Sequence, residues 1–440
     1  MLVMKFGGSS VGSAERIRNV CSIVRSRLAE SPVVVVSALQ GITDSLIDAA
    51  KKAAKGNGYE KVFQKIVDTH QAALQELGLS RELVEPLLKE LQKKMEIIVK
   101  LRQTNVELMD EVQSFGERMS ARIVAGELSR QGVPSKAFDA FEIGMVTNPN
   151  YGEAEPLPDT EEKINESLKK IKVVPVITGF IGKDSAGHIT TLGRGGSDYT
   201  AAIIGASVGA KAIEIWTDVN GVMTTDPKIV PEAKTIETLS FEEASELAYF
   251  GAKVLHPKTI LPAVQKNIPV RVLNSFEPQD RGTTITKRGE LTRKVVKAIA
   301  CKKHVIIISV SSTRMLAAHG FLSRLFAVFE EYRKSVDMLA TSEVSVSLTV
   351  DDMDDVDNIE KDLKSIAEIE VKKNKSIVCV VGDGMKSTPG IGARVFSVMG
   401  KHKINVEMIS QGASEINISF VVDDKDGENA VKALHKEFFG

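Results

Sequence analysis

Thr191-Leu-Gly-Arg-Gly-Gly-Ser-Asp198 sets a guanidinium, a carboxylate and two adjacent glycines in one short stretch. An apolar run, Val173 to Phe180, precedes it and a periodic run from Tyr199 follows, so it reads as a glycine turn at a helix N-terminus with Ser197 as the cap. Such a turn lets the backbone approach a ligand closely and aims N–H groups and the positive end of the helix dipole at an anion. A plain tight turn with an ordinary cap would use the same residues. Lys5-Phe-Gly-Gly-Ser-Ser10 is a second glycine turn, again after a strand. It is not a P-loop, and no G-x-G-x-x-G follows a strand anywhere in the chain, so Lys5 would have to deliver its charge from the strand end. Lys253, in Phe250-Gly-Ala-Lys-Val-Leu-His-Pro257, is a second candidate phosphate cation, although a solvated surface lysine is the bland account of it. His256, before a proline and without a suggested Cys or Ser partner, reads as structural. Ser114-Phe-Gly-Glu117 has the S-x-x-E form of a capping box, which would by itself explain Glu117 as a helix-opening residue.

The elements that must position these groups alternate. A strand at Leu2 to Phe6, a helix from about Ser13 to Leu28 and a β-branched run at Val33 to Val36 open a βαβ unit, which implies a parallel sheet. Ser37 to Thr43 forms a hydroxyl-bearing loop before a helix near Asp44. From about Tyr59 to Gly132 the chain reads as a helical insertion packed against the sheet. The alternation then resumes with strands at Val173 to Phe180 and Ala212 to Trp216. The loop Thr217-Asp-Val-Asn-Gly-Val222 leaves the carboxyl end of a parallel strand, where open α/β sheets hold ligands.

At 440 residues the chain exceeds one compact core, and two or three domains are expected. A net charge of −1 gives no basic surplus for nucleic acid and no acidic tail. Cys21, Cys301 and Cys379 are too scattered for a disulfide framework or a metal cluster, and a reducing cytoplasm is the expected compartment. No signal-peptide core or membrane-length apolar run is visible, so neither membrane nor nucleic acid is expected as a partner.

Beyond Gly289 a block repeats. Gly320-Phe-Leu-Ser-Arg-Leu-Phe326 with Val336-Asp-Met338 matches Gly390-Ile-Gly-Ala-Arg-Val-Phe396 with Val406-Glu-Met408, and Ser342 to Asp352 matches Ser414 to Asp424 after a short insertion. Two copies are too few for a solenoid, so a paired βαββαβ module is expected, suited to sensing a small ligand or to dimerisation alone. Strands at Val296 to Ala300 and Val305 to Val310 precede the repeat cores, an order that would let one module thread through the other.

Lys5-Phe-Gly-Gly, Ser114-Phe-Gly-Glu117, Thr191 to Asp198, Trp216-Thr-Asp-Val-Asn-Gly221 and Phe250-Gly-Ala-Lys253, in that order, resemble the aspartate kinases of the amino-acid kinase family, and the repeat resembles their tandem ACT domains. The resemblance spans essentially the whole chain and looks like the monofunctional form. It implies a three-layer α/β kinase domain with an open, mainly parallel sheet over residues 1–285, then α+β ACT modules at 295–372 and 373–440. The activity it implies is ATP- and Mg²⁺-dependent phosphorylation of the side-chain carboxylate of L-aspartate, opening the route to lysine, threonine and methionine. Lys5 and Lys253 would contact phosphates, with Gly7, Gly8, Ser9, Thr217, Asp218, Met223 and Lys228 around the nucleotide. Asp198 would orient the reacting centre. Arg194 would take the substrate carboxylate and Glu117 its ammonium, assisted by Ser37, Thr43 and Ser197.

Met223 and Lys228 stand where the family has tyrosine and arginine, and Ser9 where it commonly has threonine. Met315, Ala318, Gly320, Phe321, Leu322, Val336, Asp337, Thr341, Ser342 and Glu343 resemble the effector site of lysine-inhibited members, with Ala318 in place of a serine; threonine is the competing effector. An effector site between neighbouring subunits implies a homodimer through the ACT modules, or a tetramer. An acetylglutamate or uridylate kinase is disfavoured by the ACT tail and by Ser114 to Glu117. A non-catalytic sensor is disfavoured by the presence of Lys5, Arg194, Asp198 and Lys253 together.

Overall fold

The structure, a computed structural model, describes residues 1–250, 257–287, 295–312, 319–351, 354–411 and 416–440. Two compact units divide the chain, the first holding residues 1–222, 237–241 and 257–287, the second 223–236, 242–250 and 295–440.

In the first unit β1 (Leu2–Phe6), α1 (Ala14–Ser26) and β2 (Pro32–Val36) lead to four helices: α2 (Ile42–Ala54), α3 (Tyr59–Leu77), α4 (Glu85–Leu101) and α5 (Val106–Arg130). Then come β3 (Ser135–Phe138), α6 (Thr160–Lys170), β4 (Val174–Thr178), a hairpin of β5 (Ile181–Lys183) and β6 (Ile189–Thr191), α7 (Gly196–Val208), β7 (Ile213–Thr217) and β8 (Thr238–Ser240). After α8 (Phe241–Tyr249), most of which lies in the second unit, α9 (Leu261–Gln265), β9 (Val270–Asn274) and β10 (Thr283–Thr286) complete the first.

The main sheet runs β3-β4-β2-β1-β7-β9-β10-β8, parallel except between β9 and β10. Because side chains alternate along a strand, Leu2, Met4 and Phe6 of β1 join one core with α1, α2 and α5, while the odd positions face α7. Helices therefore cover both faces, and the expected three-layer α/β architecture is what the chain forms. Val33 to Val36 is buried throughout, as a strand sandwiched between two helical layers must be.

One local reading changes here. Ser114 and Glu117 lie in the middle of α5, not at its start: Asn105 caps that helix through its bond from the Leu108 N–H (2.8 Å), and Ser114 Oγ instead donates to Glu111 O. The helical segment packs against the sheet as expected, with α5 carrying a largely buried face into the central core.

The second unit continues with β11 (Ala298–Ser311), α10 (Phe321–Glu331), β12 (Met338–Thr341), β13 (Ser345–Val350), α11 (Val356–Lys364), β14 (Glu368–Val381), α12 (Ile391–Lys401), β15 (Met408–Ser410), β16 (Asn417–Asp423) and α13 (Asp424–Phe439). Its sheet is antiparallel, β12-β13-β11-β14-β16-β15. The two short strands expected before the repeats are one strand, β11, bent where its register against β14 shifts beside His304 (φ 61°); Asn374 (φ 60°) is the matching position in β14. One half of β11, at Ile306, Ile308 and Val310, packs in the core of the first repeat. The other half, at Ile299, packs in the core of the second. The repeat is also geometric: Gly320 and Gly390 cap α10 and α12 with φ of 76° and 86°.

Candidate active site

The registers Phe6↔Val36, Val36↔Thr178, Phe6↔Trp216 and Thr217↔Asn274 bring the carboxyl ends of β1, β2, β4, β7 and β9 to one edge of the sheet. From β1 the chain passes to β2 on one side, and β7 lies on the other, so the switch of strand order falls between β1 and β7. That crevice is where sheets of this kind bind ligands.

Lys5 is the last odd position of β1 and so points toward α7, where its Nζ lies 2.5 Å from Asp198 Oδ1 in the first turn of the helix. The cap of α7 is Gly195 (φ 70°), not Ser197, which is buried inside the first turn. Glycine is required by close approach here. A Cβ on Gly179 would lie 2.5 Å from Ser197 Cβ, and one on Gly196 would lie 2.6 Å from the Phe180 ring. Phe180 itself holds φ at 69°, a left-handed conformation that its position between those two glycines sustains.

A cleft of about 670 Å³ opens at this edge and is lined by Lys5, Ser37, Thr43, Glu117, Arg194, Ser197 and Asp198. Arg194 is exposed at the cleft. Glu117 is only 3% exposed. Its Oε1 accepts from the Ala38 N–H at 3.1 Å, whereas Oε2 is buried without a partner. Burial in this setting pushes the Glu117 carboxyl up to about 8. Asp44, Gln113 and Phe180 line the same cleft but carry no motif that would have singled them out.

Among the residues expected around a nucleotide, the Gly7 N–H donates to Trp216 O (3.2 Å), and in the other turn the Gly196 N–H donates to Gly193 O (3.0 Å), so these two amides are engaged in holding their turns. Gly8 packs so tightly that a Cβ would come within 3.0 Å of Ala38 O. The Ser9 carbonyl accepts from Arg16 Nη1 (2.9 Å). The loop after β7 is tied down by Ser275, whose N–H and Oγ both donate to Thr217 O (2.8 and 3.0 Å) and whose Oγ meets Ser10 Oγ at 2.8 Å. Thr217 Oγ1 in turn donates to the exposed Asp218 (3.1 Å). Ser10 and Ser275 were invisible as a pair in the sequence. Met223 and Lys228 belong to the second unit: Thr235 Oγ1 donates to Met223 Sδ (3.5 Å), and Lys228 is exposed. Lys253 lies outside the described residues, as does His256. No group of three or more His, Cys, Asp or Glu side chains fit to hold a metal is found among the described residues.

Of the expected effector residues, Met315 and Ala318 lie outside the described residues. Gly320 caps α10, Phe321 is buried and Leu322 exposed, while Val336 is half-buried. Asp337 is already occupied: Lys302 Nζ lies 2.8 Å from its Oδ2, and Tyr249 Oη donates to its Oδ1 at 2.8 Å. Thr341, Ser342 and Glu343 are exposed, with Ser342 spent on a turn through Ser345.

Residues 1–274 match the amino acid kinase family, and residues 378–438 match an ACT domain. The chain belongs to the amino acid kinase family. Within it, the chain groups with the aspartokinases. It is 40% identical over 455 residues to Aspartokinase 1, chloroplastic, of Arabidopsis thaliana, covering 99% of this chain and 80% of that one. It is 36% identical over 453 residues to Lysine-sensitive aspartokinase 3 of Escherichia coli (strain K12), covering 100% and 99%. The crystal structure of E. coli aspartokinase III in complex with aspartate and ADP (R-state) superposes with a TM-score of 0.85 at 34% identity over 100% of both chains.

Proposed function

We propose that this chain transfers the γ-phosphoryl group of ATP to the side-chain carboxylate of L-aspartate, giving 4-phospho-L-aspartate and ADP. The observation that carries the reading is the meeting, in one cleft, of an ammonium–carboxylate pair (Lys5 and Asp198), an exposed guanidinium (Arg194) and a buried carboxylate oxygen with no partner (Glu117). That set is complementary to an amino acid beside a phosphate. Arg194 offers a bidentate fork to the α-carboxylate and Glu117 an acceptor to the ammonium, with Ser37, Thr43 and Ser197 close by. The aspartate side chain is ionised near neutrality and needs no general base. Its oxygen attacks the γ-phosphorus, the bond to the bridging oxygen breaks, and ADP leaves. Lys5 offsets charge on the phosphoryl oxygens, and Asp198 holds Lys5 in place; this is positioning and electrostatics rather than covalent help.

The nucleotide would lie against Gly7 to Ser9 and Thr217 to Asp218, with Lys253 as a further cation. Magnesium, which commonly keeps waters and takes few carboxylates, would enter with the nucleotide phosphates and supply charge neutralisation there. Residues 1–285 would form the catalytic domain, with the ACT modules at 295–372 and 373–440, interleaved through β11, binding L-lysine and joining two copies of the chain. The similarity to a relative named as lysine-sensitive supports that choice of effector.

The test is ADP formation with L-aspartate, with and without millimolar L-lysine, in wild type and Asp337→Ala. Aspartate-dependent turnover suppressed by lysine in the wild type alone is expected. No turnover by folded protein with Mg²⁺ present would refute the chemistry, and turnover indifferent to lysine would refute the effector.

A further inference from the structure

Asp110, in the second turn of α5, has no part in the chemistry above, yet it is fully buried. Among the described residues no cation pairs with it. Its three acceptor contacts all go to the rim of the cleft. Oδ2 takes the N–H groups of Thr191 (2.8 Å) and Gly152 (2.9 Å), and Oδ1 takes the Thr191 hydroxyl (2.8 Å). Thr191 is the last residue of β6, from which the chain runs through Gly193 (φ 74°) to Arg194. Its own carbonyl accepts from the Ala154 N–H (2.9 Å). Gly152 O lies so close to Gly193 that a Cβ there would sit 3.1 Å from it. One carboxylate thus fastens the segment that carries Arg194 and the loop behind it to helix α5.

The same helix carries Glu117. Asp110, Gln113 and Glu117 follow the i, i+3, i+7 spacing that puts residues on one face, and both Gln113 and Glu117 line the cleft. The group offered to the substrate ammonium and the group offered to its carboxylate are therefore held at a fixed separation through Asp110. We propose that Asp110 is a positioning residue that sets the span between Glu117 and Arg194, and with it the selectivity of the site for an amino acid of aspartate's length. This role rests on the reading of the cleft as an aspartate site.

Its chemistry makes an asymmetric prediction. Asparagine can place its carbonyl oxygen where Oδ2 lies, keeping both backbone bonds, and turn its NH₂ toward the Thr191 hydroxyl, which accepts as readily as it donates. Alanine keeps nothing. Steady-state kinetics with L-aspartate, L-glutamate and ATP should show Asp110→Ala raising KM for aspartate by about tenfold or more, since misplacement by about 1 Å can cost a hundredfold. KM for ATP should stay within about twofold, and the preference for aspartate over glutamate should shrink. Asp110→Asn should restore aspartate KM to within about threefold of wild type. Thr191→Val, which removes only the Oδ1 bond, should fall between the two and serves if the alanine variant does not fold.

Equal increases in both KM values, an unchanged aspartate preference, or an asparagine variant no better than alanine would each overturn the proposal. A wild type that neither binds L-aspartate by calorimetry nor phosphorylates it would overturn the function itself, and this role with it.

Discussion

With Glu117 as the proposed acceptor for the substrate ammonium, its unpartnered oxygen should make substrate binding a proton-release event. Burial pushes the carboxyl up to about 8, so near pH 7 the protonated form predominates. An ammonium group needs the ionised form, and removing that proton costs about 1.4 kcal/mol at pH 7 and about 2.7 at pH 6. The dissociation constant of L-aspartate should therefore fall about tenfold for each unit between roughly pH 6 and pH 8, then level off. Calorimetry in two buffers of different protonation enthalpy should count close to one proton released per aspartate bound near pH 7. Glu117→Gln should flatten the slope, and at about pH 8.5 it should weaken binding by about 1.5–3 kcal/mol, the worth of a hydrogen bond to a charged group.

Stability gives an independent reading of the same group. With the folded value above the usual 4.5, the native state keeps a proton that the unfolded chain has lost, so this group costs stability progressively as pH rises from 4.5 through 8. Saturating aspartate should remove that loss. An aspartate affinity that is flat with pH, with no buffer-dependent heat, would refute the argument.

Lys5→Met should lower kcat by about a hundredfold or more, since the proposed chemistry relies on preorganised charge at the transferring group; stopped-time ADP assays at saturating substrates check it. His70 is buried, with Nδ1 donating to Ile66 O at 2.7 Å and Nε2 unpartnered, and burial lowers it to about 4. The stability this contributes is complete above about pH 6.5 and is lost as pH falls toward 4, amounting to about 3 kcal/mol, so urea melts of His70→Leu should lack that acid limb. Gly196→Ala should destabilise by about 1–3 kcal/mol and raise aspartate KM, because its Cβ would meet the Phe180 ring at 2.6 Å; thermal melts and kinetics together test it.

The parallel sheet and its glycine turns were legible because continuous β-branched runs and glycines record backbone geometry locally. The convergence of Lys5 with Asp198 was visible only as two separate motifs, since strand parity and register decide that they meet. Glu117 shows the limit of local reading. S-x-x-E scores as a cap on sequence, but a cap needs a helix to begin there, and the apolar periodicity on both sides lets α5 run through. Asp110 and Ser275 left no trace, because a buried acceptor is defined by the backbone donors that tertiary folding brings to it. The two strands expected ahead of the repeats were readable in position but not in continuity: β11 bends at His304 instead of breaking.

That continuity bears on the proposed effector site. Lys302 stands in the half of β11 before its bend, and its ammonium pairs with Asp337, just before β12 of the first repeat. Asp351 lies 2.9 Å from the same ammonium, and Tyr249 of α8 donates to Asp337. An effector ammonium arriving at Asp337 meets a carboxylate that already has a cation, so it must displace Lys302 or share its partner. Displacement would leave Lys302 to Asp351 and would shift it against the Tyr249 ring, whose centroid lies 5.1 Å from its ammonium, altering contacts on β11 and α8 at once. A carboxylate tied to both elements is thus a point where binding free energy can be spent on their rearrangement, whereas an unoccupied carboxylate would bind the ligand more tightly and move nothing.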